Sequence, residues 1–224
     1  GLGWLGFQLA GWRSAKLAGL EVPPAVELAA VSPATPPALL LFGDSRVAQW
    51  KPLPDRPYSI AAEGFPGETA IRLAARFPDA LQQHRPQLVM LQLGVNDAVA
   101  ASQVGAARRE QALADSLSAI ERMAADAKAA GADLVILKVI PPVRPELPRR
   151  LLYRGEVDAY VAPLNAALPS IAARHGATVA DPLPLLADAG GAVPDRYRRD
   201  ALHLTPEAYQ ALGALLPPSI EARG

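Results

Sequence analysis

The feature that most constrains the fold of this chain is a series of short, predominantly apolar runs. They lie at residues 38–42, 58–62, 88–93, 134–140 and 177–180. Runs in which polar and apolar residues do not alternate are typical of strands buried on both faces, as in a parallel sheet. Helical patterns separate these runs, and strands that alternate with helices predict a three-layer α/β domain.

The helical patterns are clearest in the second half of the chain. Residues 107–130 place apolar side chains at three- and four-residue spacing, and Gly131 follows as a stop signal. A second long helix is predicted over residues 156–174. Thr205 followed by Pro206 predicts the start of the last helix, with threonine as its cap.

Residues 1–37 differ from the rest, and we predict a domain over residues 38–224. Residues 1–10 are almost wholly apolar, and residues 21–37 contain five prolines, which indicates a semi-extended connector. The apolar segment is shorter than the roughly 20 residues of a membrane span. Two interpretations stay open: it follows a removed signal or membrane anchor, which would place the protein in a bacterial envelope, periplasmic or secreted, or it is a helix packed on the domain.

The charge and cysteine content exclude several functions. Basic and acidic residues balance at 22 each, which gives no electrostatic reason to expect nucleic acid as a partner. The absence of cysteine excludes a disulfide framework, a zinc–thiolate site and a cysteine nucleophile. The three histidines are scattered, so we expect no catalytic metal.

Residues suited to acyl transfer follow the predicted strands. Ser45, Gly67 and Asn96 come after the first, second and third runs, and Asp200 and His203 precede the last helix. In parallel α/β sheets the carboxyl ends of the strands meet at one edge, where ligands bind. A serine needs a base to take its proton, a histidine can be that base, and a carboxylate can orient the imidazole. The N–H groups of Ser45 and Gly67 and the amide of Asn96 are candidate donors to an oxyanion.

Each of these residues also has a structural interpretation. A lone serine such as Ser45 at a strand–helix junction is more often a helix cap than a nucleophile. We interpret the neighbouring Asp44 as a support for the turn. His84 lies in a polar stretch and His175 at a helix C-terminus, which leaves His203 as the candidate base.

The motifs together resemble a known family. Gly43-Asp44-Ser45, Gly67, Gly94-x-Asn96-Asp97 and Asp200-x-x-His203 resemble blocks I, II, III and V of the SGNH (GDSL-type) hydrolases, in that order. The resemblance implies a flavodoxin-like five-stranded parallel sheet and a triad of Ser45, His203 and Asp200. It also implies oxyanion donors from Ser45, Gly67 and Asn96, and no cofactor. Arg46 replaces the usual leucine of block I, and Glu63 stands where block II often has asparagine.

Arginines near these motifs suggest a substrate site. Arg46, Arg149 and Arg150, with a second basic run at residues 196–199, could form a basic pocket mouth for an anionic substrate. The alternative is that the run containing Arg149 and Arg150 and the run at residues 196–199 are both solvated loops.

We therefore predict a serine esterase acting on a small-molecule, lipid or glycan ester. An O-deacetylase of carbohydrate, a lysophospholipase and a thioesterase remain open. The N-terminal segment favours the first if it follows an anchor, and Trp50, Leu53 and Phe65 near blocks I and II favour the second. An acyltransferase using the same nucleophile and a non-catalytic domain that binds acylated glycans or lipids are the alternatives.

Overall fold

The computed structural model describes residues 2–21, 36–143, 147, 151 and 157–221, and its centre is one parallel sheet. The strands are β1 (Leu39–Asp44), β2 (Ile60–Phe65), β3 (Leu88–Gln92), β4 (Asp133–Leu137) and β5 (Thr178–Ala180). Their order across the sheet is β2-β1-β3-β4-β5, and every neighbouring pair is parallel. Each predicted strand is present, and the parallel three-layer α/β architecture is confirmed.

The strand ends differ from the prediction in two places. The second strand continues to Phe65, because Glu63 and Gly64 pair with Phe42 and Gly43. A polar residue is tolerated there since β2 is an edge strand whose residues are only partly buried. The fourth strand ends at Leu137 rather than at residue 140, where its pairing with β5 stops.

Eight α-helices lie in the described part of the chain. They are α1 (Leu2–Ala18), α2 (Ser45–Ala48), α3 (Ala70–His84), α4 (Val95–Ala101), α5 (Ala106–Ala129), α6 (Asp158–His175), α7 (Leu183–Leu186) and α8 (Pro206–Leu212). Helices α5, α6 and α8 correspond to the three predicted ones. The hydroxyl of Thr205 caps α8 as expected, since its oxygen accepts from the N–H of Ala208 at 3.3 Å.

The central strand β1 divides the core into two layers. Leu40 and Phe42 belong to a cluster formed with α3, α5 and α6 on one face of the sheet. Leu39 and Leu41 belong to a second cluster that includes α8 on the other face. Side chains alternate between the faces of a strand, so an uninterrupted apolar run supplies both layers at once.

The end of α1 packs on the sheet domain. Leu20 is buried, and Leu17 contacts the same core cluster as α3. The hydroxyl of Thr69, the residue before α3, donates to the carbonyl of Gly19. Residues 22–35, which contain most of the proline-rich connector, lie outside the described residues. None of the helices in the part of the chain that the structure describes combines the length and the apolar character needed to cross a membrane.

Candidate active site

The strand order brings the predicted site residues to one edge of the sheet. Strand β1 lies between β2 and β3, with Asp44 opposite Phe65 and Gly43 opposite Gln92. The turns that follow these strands therefore begin side by side. Ser45 follows β1 directly, Gly67 lies in the turn after β2, and Asn96 is the second residue of α4 after β3.

Two glycines allow these turns to pack closely. A Cβ at Gly64 would lie 2.0 Å from the backbone nitrogen of Ala48, so glycine is required for α2 to rest on β2. Gly94 has φ of +104° and precedes α4, and a Cβ there would lie 2.7 Å from a methyl group of Val139. Gly64 thus lets the end of α2 approach β2, and Gly94 fixes the start of α4, and each of these helices carries a candidate site residue.

Ser45 is the first residue of α2, and its side chain is nearly buried. Asp44 caps this helix, and its Oδ1 accepts from the N–H of Arg46 at 2.9 Å. The interpretation of Asp44 as a support for the turn is therefore confirmed.

A hydroxyl, an imidazole and a carboxylate are hydrogen-bonded in series at this edge. Ser45 Oγ lies 3.1 Å from His203 Nε2, and His203 Nδ1 lies 2.7 Å from Asp200 Oδ2. The other oxygen of Asp200 accepts from the N–H groups of Leu202 and His203, each at 2.8 Å. Asp200 thus fixes both the loop that carries His203 and the orientation of the ring.

The environment of Asp200 keeps this carboxylate ionised at neutral pH. Partial burial raises the pKa of Asp200, but the hydrogen bonds from the His203 ring and from the two backbone N–H groups outweigh it and lower the pKa to about 2. An ionised carboxylate can only accept, so His203 Nδ1 carries a proton and Nε2 of the neutral ring is free to accept one from Ser45.

Arg46 and the backbone hold the His203 loop in place. Arg46 Nε donates to the carbonyl of Leu202 at 2.9 Å, and its Nη1 donates to the carbonyl of Ile140 at 2.9 Å. The N–H of Val143 donates to the carbonyl of Ala201 at 2.9 Å. This placement corrects the expectation that Arg46 contributes charge to a pocket mouth, because its side chain is only 2% exposed and binds backbone carbonyls.

The other arginines of the predicted basic pocket mouth fall into two groups, those outside the described residues and those with local contacts. Arg149 and Arg150 lie outside the described residues. Arg198 forms an ion pair with Asp195 at 2.7 Å, and the guanidinium of Arg196 lies 4.6 Å from the ring centre of Tyr197. Two of the three arginines of the second basic run, Arg196 and Arg198, therefore have local partners.

The amide of Asn96 is held on both sides. Its Nδ2 donates to the carbonyl of Glu68 at 3.0 Å, which ties α4 to the turn that contains Gly67. Its Oδ1 accepts from Lys16 Nζ of α1 at 2.7 Å. Lys16 was not among the sequence candidates, and no sequence signal could have found it, because the contact joins residues 80 positions apart outside any motif.

Two fully buried carboxylates lie beneath this edge. Asp97 accepts from the N–H of Ala70 at 3.0 Å and from the hydroxyl of Ser116 at 2.6 Å, so it caps α3 from α4. Burial raises the pKa of Asp97, and burial also raises that of Asp44, to about 6. The sequence marked both residues as parts of motifs but gave no indication of the Ser116 contact.

Of the aromatic side chains that favoured a lysophospholipase, Trp50 is buried and Phe65 is partly buried against the core. Trp50 is 1% exposed and packs against Tyr209, with the ring centres 5.7 Å apart. Phe65 packs against Phe42 at 5.6 Å. Phe65 packs against the core cluster on the α3 face of the sheet, and Trp50 belongs to the cluster on the α8 face. Packing therefore explains both aromatic residues.

Within the described ranges, no cluster of three or more histidine, aspartate or glutamate side chains is suited to hold a metal ion. The groups at the site are instead a hydroxyl, an imidazole, a carboxylate and N–H donors. These are the groups that acyl transfer through a covalent intermediate requires.

A three-layer α/β/α fold with this set of groups at the carboxyl edge of its sheet defines an enzyme of the ester hydrolase class. A family of acyl hydrolases matches most of the chain in sequence and agrees with this class. The chain belongs to the GDSL-like lipase/acylhydrolase family, whose model matches residues 41–211. No curated protein matches the chain in sequence.

Solved structures show the same fold. A GDSL-like lipase from Bacteroides thetaiotaomicron is 23% identical, with a TM-score of 0.61 over 79% of this chain and 84% of that one. An aryl esterase from M. smegmatis is 16% identical, and a carbohydrate acetylesterase from Sinorhizobium meliloti is 15% identical. For each of these two, the TM-score is 0.59 over 79% of this chain and 94% of the other.

Proposed function

We propose that the chain hydrolyses carboxylic esters through an acyl-enzyme formed on Ser45, with His203 as the base and Asp200 as the residue that orients it. The observation that carries the proposal is the unbroken series from Ser45 Oγ through both ring nitrogens of His203 to Asp200, at 3.1 and 2.7 Å. Such a series serves nucleophilic catalysis, whereas a helix cap would not need the imidazole.

The proposed reaction has two halves. His203 Nε2 takes the proton of Ser45 as Oγ bonds to the ester carbonyl carbon, and the carbonyl oxygen becomes an oxyanion. The C–O bond to the alcohol then breaks, and His203 gives its proton to the leaving oxygen. In the second half His203 takes a proton from water, which attacks the acyl-enzyme. The acid leaves as the proton returns to Ser45.

The N–H groups of Ser45 and Gly67 and the Nδ2 group of Asn96 are the proposed oxyanion donors. Three turns adjacent across β2, β1 and β3 supply them. One Nδ2 hydrogen of Asn96 bonds to Glu68, which leaves the second available. Donors that are already held in place cost little reorganisation when charge develops on the carbonyl oxygen.

Hydrolysis is favoured over transfer to an alcohol by the exposure of the base. The side chains of His203 and Asp200 are 22% and 48% exposed. Water can therefore approach the imidazole that must deprotonate it, whereas an acyltransferase has to exclude water from the acyl-enzyme.

The substrate classes left open are separated by an ester panel. O-deacetylase, lysophospholipase and thioesterase activity predict preferences for acetylated xylan, lysophospholipid and an acyl thioester respectively. The carbohydrate acetylesterase with this fold makes acetylated glycan a natural first member of the panel.

The test of the catalytic roles is turnover of a short p-nitrophenyl ester. We expect Ser45→Ala and His203→Ala to lose nearly all activity while keeping the wild-type urea unfolding midpoint. Asp200→Asn should lose less, about 10⁴-fold in kcat, because Ser45 and His203 remain but the carboxylate that holds the proton on His203 Nδ1 is gone.

The matched control is Ser219→Ala, a serine near the end of the described chain and outside the site. It should retain wild-type kcat. A Ser45→Ala protein with full activity would overturn the proposed mechanism, as would a His203→Ala protein with full activity.

A further inference from the structure

The end of α1 contacts two of the three segments that supply the proposed oxyanion donors. Lys16 Nζ donates to Asn96 Oδ1 at 2.7 Å, on the segment after β3. Gly19 accepts from the hydroxyl of Thr69, and Ala18 accepts from Arg72 Nη1 at 3.3 Å, on the segment after β2. The N-terminal helix thus bridges the two turns that flank the nucleophile.

The contacts of Asn96 allow only one orientation of its amide. An ammonium group can only donate and a backbone carbonyl can only accept. Lys16 therefore requires Oδ1 on its side, and Glu68 requires Nδ2 on the other. A flipped amide would set two donors against each other at Lys16 and two acceptors against each other at Glu68. The pair fixes the amide with its N–H groups toward the Gly67 turn.

We propose that Lys16 is a positioning residue of the reaction, which acts through Asn96 by locking and polarising the amide that stabilises the oxyanion. The inference rests on the proposed function and extends the site to a helix outside the block motifs. A cation on Oδ1 draws electron density from the amide, and this makes Nδ2–H a stronger donor to a developing negative charge.

The contact between Lys16 and Asn96 also brings a positive charge to a region that contains buried carboxylates. Burial lowers the pKa of Lys16, and the two fully buried carboxylates of Asp44 and Asp97 near the same edge oppose this effect by attracting the ammonium group. A growing oxyanion would add a third negative charge to this region. Lys16 and Arg46 are the cations that balance Asp44, and of these two only Lys16 bonds to an oxyanion donor.

The docking of α1 does not depend on Lys16 alone. Leu17 and Leu20 pack on the core, and the Thr69 and Arg72 contacts go to backbone carbonyls of residues 18 and 19. Lys16→Met keeps an unbranched apolar side chain only one atom shorter than lysine, while it removes the charge and the donor. The fold and the position of α1 are therefore expected to survive the change.

The test is a double-mutant cycle on the full chain, measured as kcat and KM for a short p-nitrophenyl ester. Asn96→Ala should lower kcat by about 10²–10³-fold, the usual effect of one oxyanion donor. Lys16→Met alone should lower kcat by about tenfold with KM changed less than about threefold. In the Asn96→Ala background, Lys16→Met should lower kcat by less than about twofold, because its effect passes through the missing amide.

Lys128→Met is the matched control, since it makes the same change at an exposed position in the last turn of α5. It should leave kcat unchanged. Lys16→Gln repeats the cycle with a polar side chain, and urea midpoints check that every variant is folded. Wild-type kcat in Lys16→Met would overturn the inference, and so would an equal loss in both backgrounds.

These failures are distinct from a failure of the proposed function. An inactive Ser45→Ala protein together with a fully active Lys16→Met protein would remove only the role of Lys16. A fully active Ser45→Ala protein would remove both.

Discussion

Arg46 and Asp44 flank the proposed nucleophile, and both side chains are buried. Their partners differ in kind. Arg46 gives its hydrogen bonds to carbonyls of the His203 and Ile140 segments, whereas Asp44 caps the turn that carries Ser45. One residue therefore positions the base and the other positions the nucleophile. Their charges also attract each other, which links the two functions electrostatically.

Arg46→Met should impair the hydrolysis of neutral and of anionic esters equally. Without the guanidinium, the carbonyls of Leu202 and Ile140 lose their donor, and the loop that carries His203 is less well held. We expect a lower kcat for both classes of ester, an unchanged ratio of their KM values, and a loss of about 2–4 kcal/mol in the free energy of unfolding. Steady-state kinetics on an ester pair and urea unfolding measure these effects. Arg122→Met on the exposed side of α5 is the control, and a rise in KM confined to anionic esters would contradict this role.

Asp44→Asn should change the pH dependence of stability. Asparagine keeps an oxygen for the N–H of Arg46 but cannot ionise. Because burial raises the pKa of Asp44 from 3.8 to about 6, the folded wild type takes up a proton more readily than the unfolded chain. The free energy of unfolding of the wild type therefore falls as the pH rises through this interval, by about 3 kcal/mol for a shift of about two pH units.

The measurement is urea unfolding of both proteins from pH 4 to pH 8. The free energy of unfolding of the variant, relative to that of the wild type, should rise by up to about 3 kcal/mol as the pH rises to about 7. Titrations common to both proteins cancel in the difference. A difference that stays constant with pH would show that Asp44 is ionised without penalty. The unpartnered Oδ2 of Asp44 among the described residues supports the expected result.

At the scale of elements, the short helices that carry site residues depend on tight entries from the sheet. Helix α4 follows Gly94, whose backbone is in the left-handed region and faces Val139 and Leu164. Helix α2 follows the capped turn at Asp44 and rests on Gly64. Their position is set by packing against their neighbours, because helices of 7 and 4 residues have little stability alone.

Gly94→Ala should destabilise the fold and displace Asn96. The added Cβ would lie 2.7 Å from Val139 Cγ2 and 3.1 Å from Leu164 Cδ2, at a φ that alanine rarely adopts. We expect a loss of about 2–4 kcal/mol in the free energy of unfolding and a lower kcat in the folded fraction. Gly105→Ala, at the N-cap of α5 with nothing within 4 Å of its Cβ, should cost only about 1 kcal/mol, the usual loss for alanine at an N-cap. Equal unfolding midpoints for the two variants would refute the argument.

At the scale of the whole molecule, the features repeated along the sequence were predictable and the contacts between distant segments were not. Most strands are marked by a predominantly apolar run such as residues 38–42, since burial on both faces leaves few positions for polar residues. The motif residues Ser45, Asn96 and His203 could be assigned to one edge because parallel strands share it. Local pattern and sheet topology are enough to place these residues.

The remaining features depend on which side chains meet after folding. Arg46 has the same sequence neighbourhood whether it faces solvent or the Leu202 carbonyl, so its charge suggested a surface role that its burial excludes. Lys16 lies on a helix with no motif, and its contact with Asn96 spans 80 positions. Trp50 was similarly compatible with a lipid surface until its packing on Tyr209 was known.

The hydrogen bond between Ser45 and His203 joins residues 158 positions apart, near opposite ends of the sheet domain. During synthesis the proposed nucleophile leaves the ribosome early, and the proposed base lies near the carboxyl end of the sheet domain. On the proposed mechanism, the growing chain carries Ser45 without the means to deprotonate it until His203 has emerged and α8 has docked. Ester cleavage would then begin only once α8 has packed against the face of the sheet that carries Leu39 and Leu41.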